Sequence, residues 1–141
     1  MGHTLGTNLL NLLSHTDLAV VISAELESNK PNVNAVRTNQ LERDLINTGL
    51  RYCRVDGCYQ GTKEKAFIVM CNDLHDVMRI ECLGIHKYKQ DSILIVDQSK
   101  CLAMLKYADV CTAIGRGFEQ VESSKGLDNF MMVDGETWVI I

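Results

Sequence analysis

The chain has 141 residues, of which 46% are hydrophobic, and its formal net charge is −4. This length and apolar content suffice for a single domain with its own core. The acidic balance and the lack of a Lys- or Arg-rich run exclude a nucleic-acid-binding groove, which needs a clustered basic face. No stretch approaches the roughly 18 apolar residues of a membrane helix, so we expect no membrane span and a cytoplasmic protein.

The six cysteines include no Cys-x-x-Cys pair, and their spacing does not indicate a disulfide framework. They are typical of small buried hydrophobic residues in a reducing compartment. Cys82 and His86 lie four positions apart on an expected helix and could share a metal ion. No second pair completes a tetrahedral ligand set, so we expect neither a metal nor another cofactor.

In the first half of the chain, continuous apolar runs alternate with segments whose apolar residues recur at helical spacing. Residues 1–16 carry leucines at helical spacing, and we assign them to an N-terminal extension that precedes a single domain at 17–141. The apolar run at 18–24 predicts a central strand that ends near Ser23. Apolar side chains at helical spacing predict a helix over 34–47, which Gly49 ends.

A glycine-rich stretch at 57–64 then joins two strand-like runs at 51–55 and 65–71. Gly57 and Gly61 can adopt positive φ without steric cost, so the stretch predicts a hairpin tip. Tips of this kind face solvent and can carry functional side chains. The spacing alone favours an ordinary hairpin, because the stretch contains no known catalytic motif.

The second half of the chain predicts a further helix and several strands. Asp73 is a plausible cap for a helix whose apolar stripe ends near Lys87. Apolar runs at 92–96 and 101–107 predict a fourth and a fifth strand. The last residues predict a second hairpin around Asp134 and Gly135, with Trp138 as a packing anchor.

The order strand, helix, strand, strand, helix, strand predicts an α+β ferredoxin-like sandwich, in which two helices cover one face of an antiparallel sheet. The strands are apolar almost throughout, and one pair of helices cannot cover both faces. We therefore expect a homo-oligomer, with a cyclic trimer as the favoured form.

Several short segments, in this order and spacing, resemble the phage-encoded S-adenosylmethionine lyases, enzymes formerly called hydrolases. The resemblance implies a PII-like catalytic domain over 17–141, assembled as a homotrimer with active sites between subunits. In this sequence the loop between Tyr59 and Glu64 is shorter, and the N-terminal extension has no counterpart. The matching segments are Ser23-Ala24, Gly57-Cys58-Tyr59, Glu64-Lys65, Cys71, Asp73, Gln90-Asp91, Tyr107-Ala108, Phe118, Val121, Lys125-Gly126 and Trp138.

The resemblance also implies the chemistry. The substrate S-adenosylmethionine would give 5′-methylthioadenosine and L-homoserine lactone by intramolecular displacement, and its depletion in the host would counter restriction–modification. Glu64 and Tyr59 would be the catalytic residues: the Glu64 carboxylate anchors the ribose hydroxyls or the ammonium, and the Tyr59 ring faces the cation. Ser23, Gln60 and Gln90 would bind the substrate.

Three alternatives stay open at this point. Hydrolysis would require Glu64 to deprotonate water, and the sequence shows no partner for such a base. A non-catalytic PII-like trimer could bind an adenine nucleotide or a related small molecule with the same fold and pocket. An interaction protein that contacts a host enzyme would bind no small molecule at all.

Overall fold

The computed structural model describes Leu9, Leu13 and residues 16–141. In this part of the chain nine strands form one antiparallel sheet, which curls into a half-barrel, and two helices accompany it. The elements are β1 (Leu18–Ser23), α1 (Pro31–Thr48), β2 (Tyr52–Tyr59), β3 (Thr62–Cys71), α2 (Leu74–Glu81), β4 (Ile93–Asp97), β5 (Leu102–Lys106), β6 (Cys111–Gly115), β7 (Phe118–Val121), β8 (Phe130–Val133) and β9 (Glu136–Ile140). The strand order in the sheet is β6-β5-β4-β1-β3-β2-β8-β9-β7. Helix α2 continues directly into a π-helical segment, Cys82–Lys87.

The two helices begin and end where their capping residues require. Pro31 occupies the first turn of α1, where its missing N–H costs nothing, and Gly49 ends the helix with φ 75°. The Asp73 side chain accepts a hydrogen bond from the Asp76 N–H at 2.9 Å and so caps α2. Both predicted helices and the predicted Gly49 stop are confirmed.

The ferredoxin-like, PII-like sandwich is wrong as a description of this fold. The sheet has nine strands, because β5 and β6 extend it beyond β4, while β8, β9 and β7 extend it beyond β2. The predicted C-terminal hairpin is present: Asp134 and Gly135, with φ of 50° and 79°, form the turn between β8 and β9. This hairpin does not pack against a separate sheet, because β8 and β9 are hydrogen-bonded strands of the nine-stranded sheet itself.

The two edges of the sheet meet at one corner. Strands β6 and β7 lie at opposite ends of the strand order, yet only Arg116 and Gly117 separate them along the chain. The Arg116 N–H donates to the Ile141 carbonyl, and the Ile141 N–H donates to the Gly117 carbonyl at 3.0 Å. A Cβ on Gly115 would lie 2.5 Å from Ile140 Cγ2, so this close approach requires glycine.

Buried side chains cover both faces of the sheet. On the face that the helices cover, the buried residues include Phe67, Leu41 and Ile80. On the opposite face, Ile68 and its neighbours pack against Trp138 from the curled-over end of the sheet. Leu9 and Leu13 belong to the same cluster and to the predicted N-terminal extension, the rest of which lies outside the described residues.

This second cluster removes the premise of the trimer argument. We expected the apolar face opposite the helices to need cover from another subunit. The curl of the sheet and the N-terminal leucines cover it within one chain instead.

The cysteines divide into two groups. Cys53, Cys58 and Cys71 are buried, as expected, whereas Cys82, Cys101 and Cys111 are exposed, which corrects the prediction that all six are buried. Burial raises the pKa of the Cys53 and Cys71 thiols to about 12. Among the described residues, no helix is both long enough and apolar enough to cross a membrane.

Candidate functional site

Polar side chains meet where β1 ends beside β3. Ser23 is paired with Ala66, so continuing the antiparallel register places Glu25 next to Glu64. The Ser23 hydroxyl donates to the Lys65 carbonyl at 2.8 Å and accepts from the Glu25 N–H at 3.1 Å. The end of β1 is thereby fixed against the start of β3.

Glu64 is half-buried, and its surroundings disfavour the ionised carboxylate. Burial raises the pKa of Glu64 above its usual 4.5, and the nearby negative charge of Glu25 raises it further. The Ser23 hydroxyl acts in the opposite direction, because it stabilises the charged form. Two carboxylates and one hydroxyl therefore share this end of the sheet.

Glu25 connects the predicted site residues. Its Oε2 accepts a hydrogen bond from the Lys65 N–H at 2.6 Å, and its backbone carbonyl accepts from Gln90 Nε2 at 2.9 Å. The structure thus brings Ser23, Glu64 and Gln90 together around a residue that the sequence analysis missed. The sequence contains a signal for Glu25, because it follows Ser23 by two positions and alternate residues of an extended strand point to the same side.

An open cleft of about 460 Å³ lies beside this cluster. Its volume is within the range of sites for drug-sized ligands. Glycine at position 57, which pairs with Glu64 across β2 and β3, adds no side chain there. The cleft is lined by Glu25, Asp56, Gly57, Lys63, Glu64, Lys65, Ser124, Phe130 and Met132.

The predicted hairpin is confirmed, but its tip is shorter than the predicted stretch 57–64, because Gly57 and Glu64 pair within β2 and β3. The tip is separate from the Glu25 cluster. Gln60 and Gly61 both have positive φ, 50° and 80°, which is the geometry of a two-residue type I′ turn. The tip is tied to the segment before β8, because the Gln60 N–H donates to Asn129 Oδ1 at 2.9 Å and the Gly61 N–H to the Asp128 carbonyl at 3.0 Å. Tyr59 is half exposed at this tip.

A smaller cavity of about 190 Å³ adjoins the cleft under α1. Asp56 and Lys65, which form an ion pair at 2.5 Å, line both spaces. Thr38 also lines this cavity, and its buried Oγ1 has no hydrogen-bond partner among the described residues. The cavity therefore has a polar wall that a bound molecule could satisfy.

Comparison with known protein families identifies the family of this chain. The model of the S-adenosylmethionine lyase family matches residues 20–141, a range that contains Ser23, Tyr59, Gln60, Glu64 and Gln90, as well as Glu25. No curated protein matches the chain. The match spans nearly the whole chain and includes the three carboxylates that line the cleft, Glu25, Asp56 and Glu64. The chain belongs to the S-adenosylmethionine lyase family.

Proposed function

We propose that this enzyme converts S-adenosylmethionine to 5′-methylthioadenosine and L-homoserine lactone. A carboxylate oxygen of the substrate attacks its own γ-carbon, the carbon–sulfur bond breaks, and its electron pair goes to the sulfonium, which leaves as a neutral thioether. No proton moves, so no protein base is needed. The observation that carries the proposal is the family match together with the Glu64 carboxylate in a cleft of suitable size.

Glu64 acts in this proposal as an anchor. Its carboxylate holds the ribose hydroxyls or the ammonium, so that the methionine tail folds with its carboxylate behind the γ-carbon. Well-oriented intramolecular reactions gain on the order of 7–11 kcal/mol from positioning. The partial burial of Glu64 supports this role, because electrostatic contacts are stronger where water is excluded.

The other proposed site residues fall into two groups. Tyr59 and Gln60 are at the hairpin tip and do not line the cleft. We propose that they contact the part of the substrate that extends out of it, where the Tyr59 ring would add a cation–π contact worth about 0.5–2 kcal/mol. Ser23 and Gln90 already donate to the Lys65 and Glu25 carbonyls. We therefore assign Ser23 and Gln90 to the walls of the site, where they keep the substrate contacts in place.

We further propose that the enzyme is a cytoplasmic homotrimer with sites between subunits, and that it depletes host S-adenosylmethionine to counter restriction–modification. The edge strand β6 supports an assembly, because Ile114 and the preceding Val110 are exposed apolar side chains beside a strand with a free edge in the described chain. Light scattering coupled to size-exclusion chromatography tests this: a single peak at three times 15.8 kDa is expected.

An NMR time course with S-adenosylmethionine at neutral pH tests the reaction. We expect 5′-methylthioadenosine and lactone to rise together, and the Glu64→Gln variant, which keeps the shape of the side chain, to lose most turnover. Homoserine without a lactone precursor would indicate a hydrolase. Ligand binding without consumption would refute the catalytic proposal.

A further inference from the structure

Glu25 is one of three carboxylates in the cleft, with Glu64 and the ion-paired Asp56, and its position is fixed from several sides. Its Oε2 accepts from the Lys65 N–H, and its carbonyl accepts from the Gln90 side chain. The neighbouring Ala24 carbonyl accepts from Arg37 Nε at 2.6 Å. These contacts come from β3, from α1 and from the loop before β4, so three parts of the fold hold this short segment.

Asn34 on α1 also holds the segment that carries Glu25. Its side chain makes two hydrogen bonds with Leu26, accepting from the N–H and donating to the carbonyl, both at 3.0 Å. Asn34 is buried, so this pairing is protected from water. The segment that carries Glu25 is therefore held in one conformation in the free protein.

Holding Glu25 here has an electrostatic cost. Its charge lies close enough to Glu64 to raise the pKa of that carboxyl. Within the described chain neither carboxylate has an ion-pair partner, and the ammonium of Lys65 pairs with Asp56 instead. A cationic ligand would relieve this repulsion, whereas a neutral ligand would not.

We propose that Glu25 is a substrate-contacting residue that, together with Glu64, selects ligands by positive charge at the sulfonium position. This inference rests on the proposed function and adds a specificity determinant to it. Asn34 and Arg37 act as positioning residues for Glu25. Because the reaction turns the sulfonium into a neutral thioether, the same pair would bind 5′-methylthioadenosine weakly and favour its release.

The test uses two ligands that cannot undergo the reaction. Sinefungin carries a protonated amine in place of the sulfonium, and S-adenosylhomocysteine carries a neutral thioether. Isothermal titration calorimetry gives the Kd of each for the wild type, for Glu25→Gln and for Glu27→Gln. The amide introduced by Glu25→Gln keeps an oxygen that can accept from the Lys65 N–H, and Glu27 is an exposed carboxylate of the same loop outside the cleft.

We expect the wild type to bind sinefungin at least about tenfold more tightly than S-adenosylhomocysteine, and Glu25→Gln to reduce this ratio by about fivefold or more. Glu27→Gln should leave the ratio unchanged. An unchanged ratio in Glu25→Gln, an equal loss for both ligands, or no binding of either ligand to the wild type would overturn the inference. Turnover of S-adenosylmethionine, measured separately, decides the proposed function, so the two failures are distinguishable.

Discussion

Arg37→Met should weaken both the fold and the substrate site. The Arg37 guanidinium donates to the Ala24 carbonyl at 2.6 Å and to the Tyr88 carbonyl at 2.5 Å, and it lies 5.5 Å from the centre of the Tyr88 ring. Hydrogen bonds that involve a charged group contribute about 1.5–3 kcal/mol each, and a cation–π contact about 0.5–1 kcal/mol. Methionine keeps the apolar stem, and water can reach part of this half-buried position. We therefore expect a net loss of about 2–4 kcal/mol in the free energy of unfolding.

Urea denaturation gives that loss, and steady-state kinetics with S-adenosylmethionine give its effect on the site. Arg43→Met, an exposed arginine on the same helix, is the matched control and should change stability by less than about 0.5 kcal/mol. KM should rise in Arg37→Met, because the Ala24 carbonyl no longer fixes the segment that carries Glu25. A stability loss below about 0.5 kcal/mol, or an unchanged KM in a destabilised variant, would refute the reasoning.

Three further variants test other parts of the structure. Thr38→Val removes a buried hydroxyl without a partner in the described chain, so the unfolding free energy should rise by about 1 kcal/mol; a loss would mean that Oγ1 has a partner in solution. The pKa of Glu64 is raised in the folded state, so the stability of the wild type falls as the pH rises through that pKa. Glu64→Gln should therefore be the more stable protein at pH 7, and the difference in unfolding free energy should disappear below pH 4.5. A difference that does not change with pH would contradict this. Gly115→Ala should lower the unfolding free energy by about 1–3 kcal/mol, because the new Cβ would overlap the Ile140 side chain. Gly57→Ala, whose new Cβ would have its nearest contact at 3.6 Å, should not lower it. Equal effects of the two substitutions would contradict the packing at the corner.

The sequence predicted the elements with strong local signals. The helices have apolar stripes and capping residues, such as Asp73 and Gly49, and the hairpin at Gln60 and Gly61 has the turn chemistry that its geometry requires. Helix periodicity and turn geometry depend on neighbouring residues, so a single sequence contains enough information to assign them.

Local sequence patterns could not predict the order of the strands in the sheet. Strand β6 is exposed along nearly its whole length, so it shows no alternation of apolar and polar residues. Strand β7 is short and also largely exposed. Strand β6 pairs with β5, which directly precedes it, whereas β7 pairs with β9 rather than with the next strand, β8. Strand β8 pairs with β2, which comes much earlier in the chain. The ferredoxin-like assignment failed because local patterns do not determine such long-range pairing.

The candidate site shows the same division. Glu64, Ser23 and Gln90 were proposed from resemblance, and the structure places them in one cluster. Glu25 was missed because it lies just beyond the apolar run at 18–24, although it continues the direction of β1. Its position depends on contacts that Asn34 and Arg37 of the next helix make with its neighbours, and no local pattern reveals these contacts.

The place of β8 in the sheet has a consequence for synthesis of the chain on the ribosome. Phe130 and Met132 line the cleft, and β8 pairs with β2, whose residues are made much earlier. Strands β1–β4 and both helices can pack as soon as they emerge, because their contacts lie within the first hundred residues. The cleft and the cluster around Trp138 form only when the last strands arrive, so a nascent chain can pack its helix-face core before it acquires its substrate site.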